Sequence, residues 1–338
     1  MKELLLTAPG KLAWQHAEEP VLTKIGALVR PLAVSTCDFD HLLYSGHSGL
    51  PLPLAIGHEC VAEVLAIGSD VTSISVGDRV SVPLQVNCGI CRQCRAGRSS
   101  SCEAVPWLSC FGLGLASGNW GGAMSDIVAV PYADAMLTNL PAELSTASAT
   151  CLSCNMPDAY RCVAPQLARN PGAPVLIVAG AFDNIALYSA GIATALGASQ
   201  VDVYGIHPSA RDKVEAMGAR VLLGQNEIAG NHYPIAVDAS MDPEKLALAI
   251  HACEPAAELT LSTMYKAKST PLPLMQMFEK CLSIATGQPD VRSSIKSVVQ
   301  LLIAEQDKFA LLIDEVQPWE TASLAFATGQ GKRVVMRD

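Results

Sequence analysis

The spacing of apolar residues changes character partway along the chain. In the first 35 residues they come in short runs broken by turn formers. Leu4-Leu5-Leu6 is closed by Pro9 and Gly10, and Gly26-Ala27-Leu28-Val29-Arg30 is closed by Pro31, which a central strand would not tolerate. A short helical piece follows Cys37 through Leu42 and Leu43. Residues 61–67 and 80–82 then read as strands between turns at Gly68 and Gly77. From Pro174 the period alternates. Residues 174–178 form an apolar strand, 185–196 an Ala-rich helix ended by Gly197, and 201–204 the next strand. A helix over 211–217 stops at Gly218, and strands follow at 221–223 and 234–238. Strands alternating with helices through tight connections predict a parallel sheet covered on both faces, the doubly wound α/β arrangement that binds dinucleotides. Beyond residue 287 the chain is expected to return to the first domain: Ile295, Val298, Val299, Leu302 and Ile303 have helical spacing, while Leu311-Leu312-Ile313 and Val334-Val335-Met336 read as closing strands. The expected domains are therefore 1–155 with 287–338, and 156–286.

Length, charge and cysteine usage narrow the class. A chain of 338 residues is long enough for two well-buried cores, and it contains no run of about 18 apolar residues that would cross a membrane. A formal charge of −9 without any basic stripe argues against nucleic acid as a partner. Met1-Lys2-Glu3 leads into a short apolar strand rather than a signal peptide, so the expected location is the cytoplasm. In that setting the 12 cysteines are expected to be metal ligands or reduced core residues, as Cys60, Cys162 and Cys253 in their apolar surroundings suggest.

Two clusters carry the chemistry. Cys88, Cys91, Cys94 and Cys102 follow C-x2-C-x2-C with a fourth cysteine seven residues on, and thiolates so spaced can close a tetrahedral zinc site unaided. Gly89 and Gly97 allow the turns between the sulfurs. This cluster reads as structural zinc. The second is Cys37 with His58 and Glu59, a thiolate, an imidazole and a carboxylate. Three protein ligands leave a coordination position open, which reads as catalytic zinc.

Gly57-His58-Glu59, Val76-Gly77-Asp78-Arg79-Val80, the four-cysteine lobe, and Gly121-Gly122-Ala123 before Val128-Ala129-Val130-Pro131 come in the order found in zinc-dependent medium-chain alcohol dehydrogenases. The resemblance extends over nearly the whole chain and is most specific in the first 160 residues. It implies a GroES-like, partly open β-barrel catalytic domain, joined to a Rossmann domain that binds NAD or NADP. It also implies one catalytic and one structural zinc per chain, a homo-dimer or homo-tetramer, and a small alcohol or carbonyl compound as substrate. Cys37 and His58 would hold the catalytic ion, Glu59 would approach it during exchange, and the remaining ligand falls on Cys154. Asp40 would accept the distal N–H of His58 and fix the ring.

The chain departs from the family at two places. Phe39 stands where many members carry the Ser or Thr that passes a proton outward, and phenylalanine cannot relay a proton. His41 is the candidate replacement, since histidine can take up and release a proton near physiological pH. In the coenzyme domain, Ala179-Gly180-Ala181-Phe182-Asp183-Asn184-Ile185-Ala186 keeps one glycine where the phosphate-binding turn normally has two or three, and Asp183 is expected to repel pyrophosphate unless it turns away. Candidate coenzyme contacts are Asp158, Gly180, Ala181, Ile185, Ala186, Gly205, His207 and Arg211. The second strand ends in Tyr204-Gly205-Ile206-His207 without the acid that accepts ribose hydroxyls. His207 and Arg211 are then free to meet a 2'-phosphate, so NADP is favoured over NAD. Lys332 or Arg333, near the chain's end, would reach the coenzyme. The function implied is hydride transfer between an alcohol and an aldehyde or ketone. A reductase of C=C or C=N bonds on the same fold is the alternative that Phe39 raises, and a non-catalytic descendant is the one that the poor glycine turn raises.

Overall fold

In the computed structural model the described residues are 1–180, 183–228, 232–328 and 331–337, with the side chain of Leu115 also left aside. The chain opens with strands β1 (Lys2–Ala8), β2 (Lys11–His16) and β3 (Ala27–Ser35), then helix α1 (Asp38–Tyr44), β4 (Leu54–Ala55), β5 (Glu59–Ile67) and β6 (Arg79–Val82). After α2 (Arg92–Arg95) come β7 (Val128–Val130), α3 (Ala133–Met136), β8 (Thr138–Asn139), α4 (Thr146–Ala149) and the long α5 (Asn155–Arg169). The alternating region is β9 (Val175–Ala179), α6 (Asp183–Ala195), β10 (Val201–Tyr204), α7 (Arg211–Ala216), β11 (Arg220–Leu222), β12 (Tyr233–Ala239), α8 (Pro243–Ala252), β13 (Cys253–Leu261), α9 (Leu274–Glu279) and β14 (Ser283–Thr286). It closes with α10 (Val291–Ala304), α11 (Gln306–Ala310), β15 (Ile313–Pro318), α12 (Ala322–Ala327) and β16 (Lys332–Met336).

Contacts divide the chain into two compact units, the first made of Met1–Pro157, Asp290–Gln306 and Ile313–Asp338, the second of Asp158–Pro289 and Asp307–Leu312. In the first unit one sheet runs β15-β16-β3-β5-β6-β8 with β7 also on β3, and a smaller sheet runs β2-β1-β4. Leu4, Leu6, Val29, Val34, Val64, Val80 and Met124, each at most 1% exposed, fill the core beneath them. Pro31 is inside β3 rather than beyond its end. The pairing of β3 with β5 shifts register between Pro31 and Ala33, and that irregularity accommodates a residue with no N–H to give the ladder. Leu311 and Leu312, expected in a closing strand, precede β15, which begins at Ile313.

The second unit holds a parallel six-stranded sheet in the order β11-β10-β9-β12-β13-β14. Counted from its own first strand this is 3-2-1-4-5-6, the order of a dinucleotide-binding fold, with the reversal between β9 and β12. β9 is buried along its whole length, which is why its sequence is an unbroken apolar run. Asp202 is the exception to such runs. Buried at the centre of β10, it accepts from Arg220 (2.8 Å), Tyr233 (2.6 Å) and Gln200 (2.5 Å), tying β10 to β11 and β12. Among the described residues no helix is long and apolar enough to cross a membrane.

Candidate metal centres and coenzyme seat

Cys37 lies where β3 gives way to α1 and is the N-cap of that helix. Its backbone N–H donates to Asp40 Oδ2 at 2.8 Å, so the carboxylate that caps the helix also fixes the turn carrying the thiol. His58 arrives on the other side of the sheet's end, directly before β5. The turn at Gly57 has φ +88°, and a side chain there would stand 3.0 Å from Met124 and 3.2 Å from Val34, tighter than ordinary contact. Cys154 ends a short 3-10 turn before α5. Its neighbour Ser153 braces it, with Oγ accepting from Cys60 N–H at 2.9 Å and donating to Cys60 O at 3.1 Å, while Leu84 N–H donates to Ser153 O at 2.9 Å.

These three turns bring together residues far apart in sequence: one ligand atom each from Cys37, His58 and Cys154 lies within 4.8 Å of the others, and all three residues are buried. The donors suit zinc, which takes sulfur and imidazole ligands in a tetrahedron. Two further observations bear on the fit. Asp40 Oδ1 stands 3.6 Å from His58 Nδ1, and neither atom has a hydrogen-bond partner among the described residues. That side of the ring faces the carboxylate, leaving Nε2 to face the thiols. The Cys37 thiol is also held well below its usual range, by the hydrogen bond from Cys154 against the effect of burial, and by His58 and the Lys332 charge. A group held as thiolate is ready for a metal.

Glu59 does not join this cluster. Adjacent strand residues point to opposite faces, so His58 and Glu59 diverge. Glu59 Oε1 accepts from Asn155 N–H at 2.9 Å, and Oε2 accepts from Ser35 Oγ at 2.7 Å and from Lys332 Nζ. Lys332 is itself fully buried, and its ammonium also donates to Asn155 Oδ1 at 2.9 Å and Thr36 O at 3.4 Å. Asn155 Nδ2 in turn donates to Cys37 Sγ at 3.2 Å. A closed polar network of Glu59, Lys332 and Asn155 thus stands behind the sulfur of Cys37. Lys332, expected at the coenzyme, is a partner of Glu59 instead. Sequence reasoning missed this role, although a signal was present: Lys332 has the same strand parity as Val334, which places it on the buried face. Phe39 is half-buried against the barrel core, and His41 is exposed on α1.

The four-cysteine lobe is equally convergent, with the ligand atoms of Cys88, Cys91, Cys94 and Cys102 mutually within 4.8 Å. Backbone N–H groups are aimed at the sulfurs: Cys88 to Cys102 (3.3 Å), Cys91 to Cys88 (3.4 Å), Cys94 to Cys91 (3.5 Å) and Glu103 to Cys91 (3.4 Å). Such donors stabilise thiolates and suit a closed structural zinc site.

The candidate coenzyme residues among those described fall into four sets. Gly180 ends β9 so close to β12 that a side chain would meet Ser240 O at 2.5 Å, and Gly205, with φ +79°, follows β10. These close approaches, with the N-terminus of α6 between them, fit a dinucleotide. Ile185 and Ala186 are buried in α6 and pack it on the sheet. His207 and Arg211 are exposed beyond β10, the His207 ring meeting Ser209 Oγ at 2.8 Å. Asp158 is paired with Arg161 at 2.6 Å, and Arg161 in turn donates to Gly287 O and Leu261 O. Ala181 lies outside the described residues.

Comparison with known proteins agrees with this picture. The alcohol dehydrogenase GroES-like domain matches residues 24–142. A glutathione-independent formaldehyde dehydrogenase of Pseudomonas aeruginosa is 34% identical over 214 residues, 60% of this chain and 53% of that protein, so the match spans about half of the relative's length. A probable zinc-binding alcohol dehydrogenase of Mycobacterium tuberculosis is 23% identical over 98% of this chain and 86% of its own length. An alcohol dehydrogenase from Thermus sp. ATN1 superposes over the whole of both chains with a TM-score of 0.90 at 24% identity. The lobe of four cysteines thus lies inside a matched alcohol dehydrogenase GroES-like domain, and the chain as a whole, with its 3-2-1-4-5-6 parallel sheet, shares the fold of the Thermus alcohol dehydrogenase.

Proposed function

We propose that this chain is a zinc-dependent oxidoreductase that interconverts an alcohol and an aldehyde or ketone with a nicotinamide coenzyme. The observation that carries the reading is the buried convergence of Cys37, His58 and Cys154, three ligands of a metal that has a fourth position to offer. Bound zinc supplies Lewis acidity toward a substrate oxygen, and the nicotinamide ring gives or takes the hydride. The chain's residues do the rest. Cys37, His58 and Cys154 would hold the ion, and Asp40 faces the far nitrogen of His58. Asn155 and Lys332 keep the Cys37 sulfur hydrogen-bonded and near a positive charge. Phe39 offers no hydroxyl, so we assign outward proton passage to His41, exposed on α1.

The end of β10, with no acid of its own and with His207 and Arg211 beyond it, taken alone favours NADP. The homo-oligomer the family leads us to expect has a suitable surface. β14 is an edge strand, and the α9 side chains before it, Leu274, Met275 and Phe278, are 66%, 71% and 80% exposed. Light scattering on Phe278→Asp, expected to run smaller than the parent, tests that surface.

The test of the function is a panel of alcohols and carbonyl compounds, run with both coenzymes on protein of measured zinc content. Turnover of an alcohol or ketone that disappears on chelation and returns with zinc supports the reading. Phe39 favours a second reading, reduction of C=C or C=N bonds. Activity on such substrates with none on the alcohols would select it.

A further inference from the structure

The first unit carries a cavity of about 310 Å³ whose walls include none of the candidate metal ligands. It lies between the start of α10 and the edge of the barrel sheet where β6 pairs with β8. All of its lining residues belong to the first unit, so the seat expected for the coenzyme supplies none of them. Strand parity explains why polar groups gather there. Val80 and Val82 are buried in the barrel core, so Ser81 between them turns to the opposite face. Thr138 of β8 is its register partner, and residues directly opposite in an antiparallel pair share a face. Both line the cavity. Ser81 is only 1% exposed, and its Oγ has no hydrogen-bond partner among the described residues, a cost that a ligand in the cavity would remove.

Helix α10 supplies the charge. Val291 and Ile295 are buried and anchor its start, while Arg292 and Lys296, four positions apart, stand together on an exposed face and both line the cavity. Neither side chain has an ion-pair or hydrogen-bond partner among the described residues. The guanidinium lies over Gly89, where a side chain would stand 3.4 Å from Arg292 Nε and Nη2. Asp134 is the one carboxylate among the lining residues described, and its two oxygens already accept from the backbone and hydroxyls of Thr72 and Ser73 at 2.7–3.1 Å. Two unpartnered cations therefore face a cavity whose single acid is occupied elsewhere. We propose that this cavity binds a small phosphate-bearing ligand, a phosphomonoester or inorganic phosphate, with Arg292 and Lys296 as charged donors and Thr138 and Ser81 as hydroxyl donors. A guanidinium fork, an ammonium and two hydroxyls offer more donors than the two oxygens of a carboxylate can use, and a phosphate group has acceptors for them. The volume leaves room for a small organic body behind the phosphate.

The experiment is isothermal titration calorimetry of the zinc-loaded full chain with inorganic phosphate, glycerol phosphate and acetate at matched ionic strength, for the parent, Arg292→Gln, Lys296→Gln and Ser81→Ala. The parent is expected to bind phosphate with a Kd of about 0.1–1 mM and acetate at least about tenfold more weakly. Arg292→Gln and Lys296→Gln should each weaken phosphate about tenfold or more through loss of a charge-assisted contact, and Ser81→Ala about threefold. Arg292 and Lys296 are exposed, so thermal melts of their variants without phosphate should match the parent's. Tighter binding of glycerol phosphate than of inorganic phosphate identifies a monoester as the ligand, and the reverse order identifies free phosphate; either supports the site. The proposal is overturned if neither phosphate binds saturably up to about 20 mM, or if acetate binds as tightly as phosphate. Phosphate binding that the α10 substitutions leave unchanged also overturns it, because the anion is then held elsewhere, the coenzyme seat included.

Discussion

Removing the buried ammonium of Lys332 tests the network behind the candidate catalytic metal. In Lys332→Met, Glu59 keeps its donors from Ser35 and Asn155 but loses its ammonium partner at a site where both side chains are fully buried. Breaking one half of a buried ion pair costs about 3–5 kcal/mol, because the charge left behind stays desolvated. For a unit of this size, about 2–4 °C per kcal/mol, the expected fall in Tm is roughly 6–20 °C. Asn155 Oδ1 also loses its donor, so the amide that holds Cys37 Sγ is freed to turn, and zinc should leave faster on chelation. The double variant Lys332→Met/Glu59→Gln removes both charges and should be less destabilised than the sum of the singles by about 2–3 kcal/mol. Thermal melts of the four proteins, with zinc release followed by a chromogenic chelator, decide the matter. A Lys332→Met variant within about 1 kcal/mol of the parent, or strict additivity, would refute the reasoning.

Cys94→Ser should leave one zinc per chain where two are expected in the parent, with a lowered Tm, by elemental analysis and calorimetry. Asp40→Ala takes the carboxylate from both Cys37 N–H and the neighbourhood of His58 Nδ1, and should weaken zinc binding by about 10–100-fold in a competitive chelator titration. His41→Ala should lower turnover, and unchanged turnover would remove His41 from the proton path. Asp202→Asn should destabilise the second unit by about 1–3 kcal/mol at neutral pH. Burial works against it, but Arg220, Tyr233 and Gln200 hold the Asp202 carboxyl below its usual range. Its contribution is therefore present above the ordinary carboxyl pKa and lost as pH falls through the lower folded value, so parent and variant should converge in acid melts, not alkaline ones.

The sequence carried the fold where burial is one-sided or complete. β9, β10 and α6 were legible because β9 is apolar throughout and α6 is an Ala-rich run closed by Gly197. β14 was not, since Ser283 to Thr286 form an exposed edge strand without the apolar signature of the centre. Pro31 misled for a local reason: a register shift in the ladder admits the residue that ordinarily excludes a strand. At the site, the spacing of Cys88 to Cys102 was self-sufficient, whereas Cys154 needed the family resemblance because it is 117 positions from Cys37. The role of Lys332 depends on a side chain crossing between elements: it reaches from β16 to the start of β5, a pairing that no window along the chain contains.

The most direct measurement is anomalous scattering from crystals at the zinc absorption edge. The account predicts two peaks per chain, one enclosed by Cys88, Cys91, Cys94 and Cys102, and one within bonding distance of Cys37 Sγ, His58 Nε2 and Cys154 Sγ with a fourth side open. A single peak in the four-cysteine lobe, with zinc supplied in excess, would contradict it.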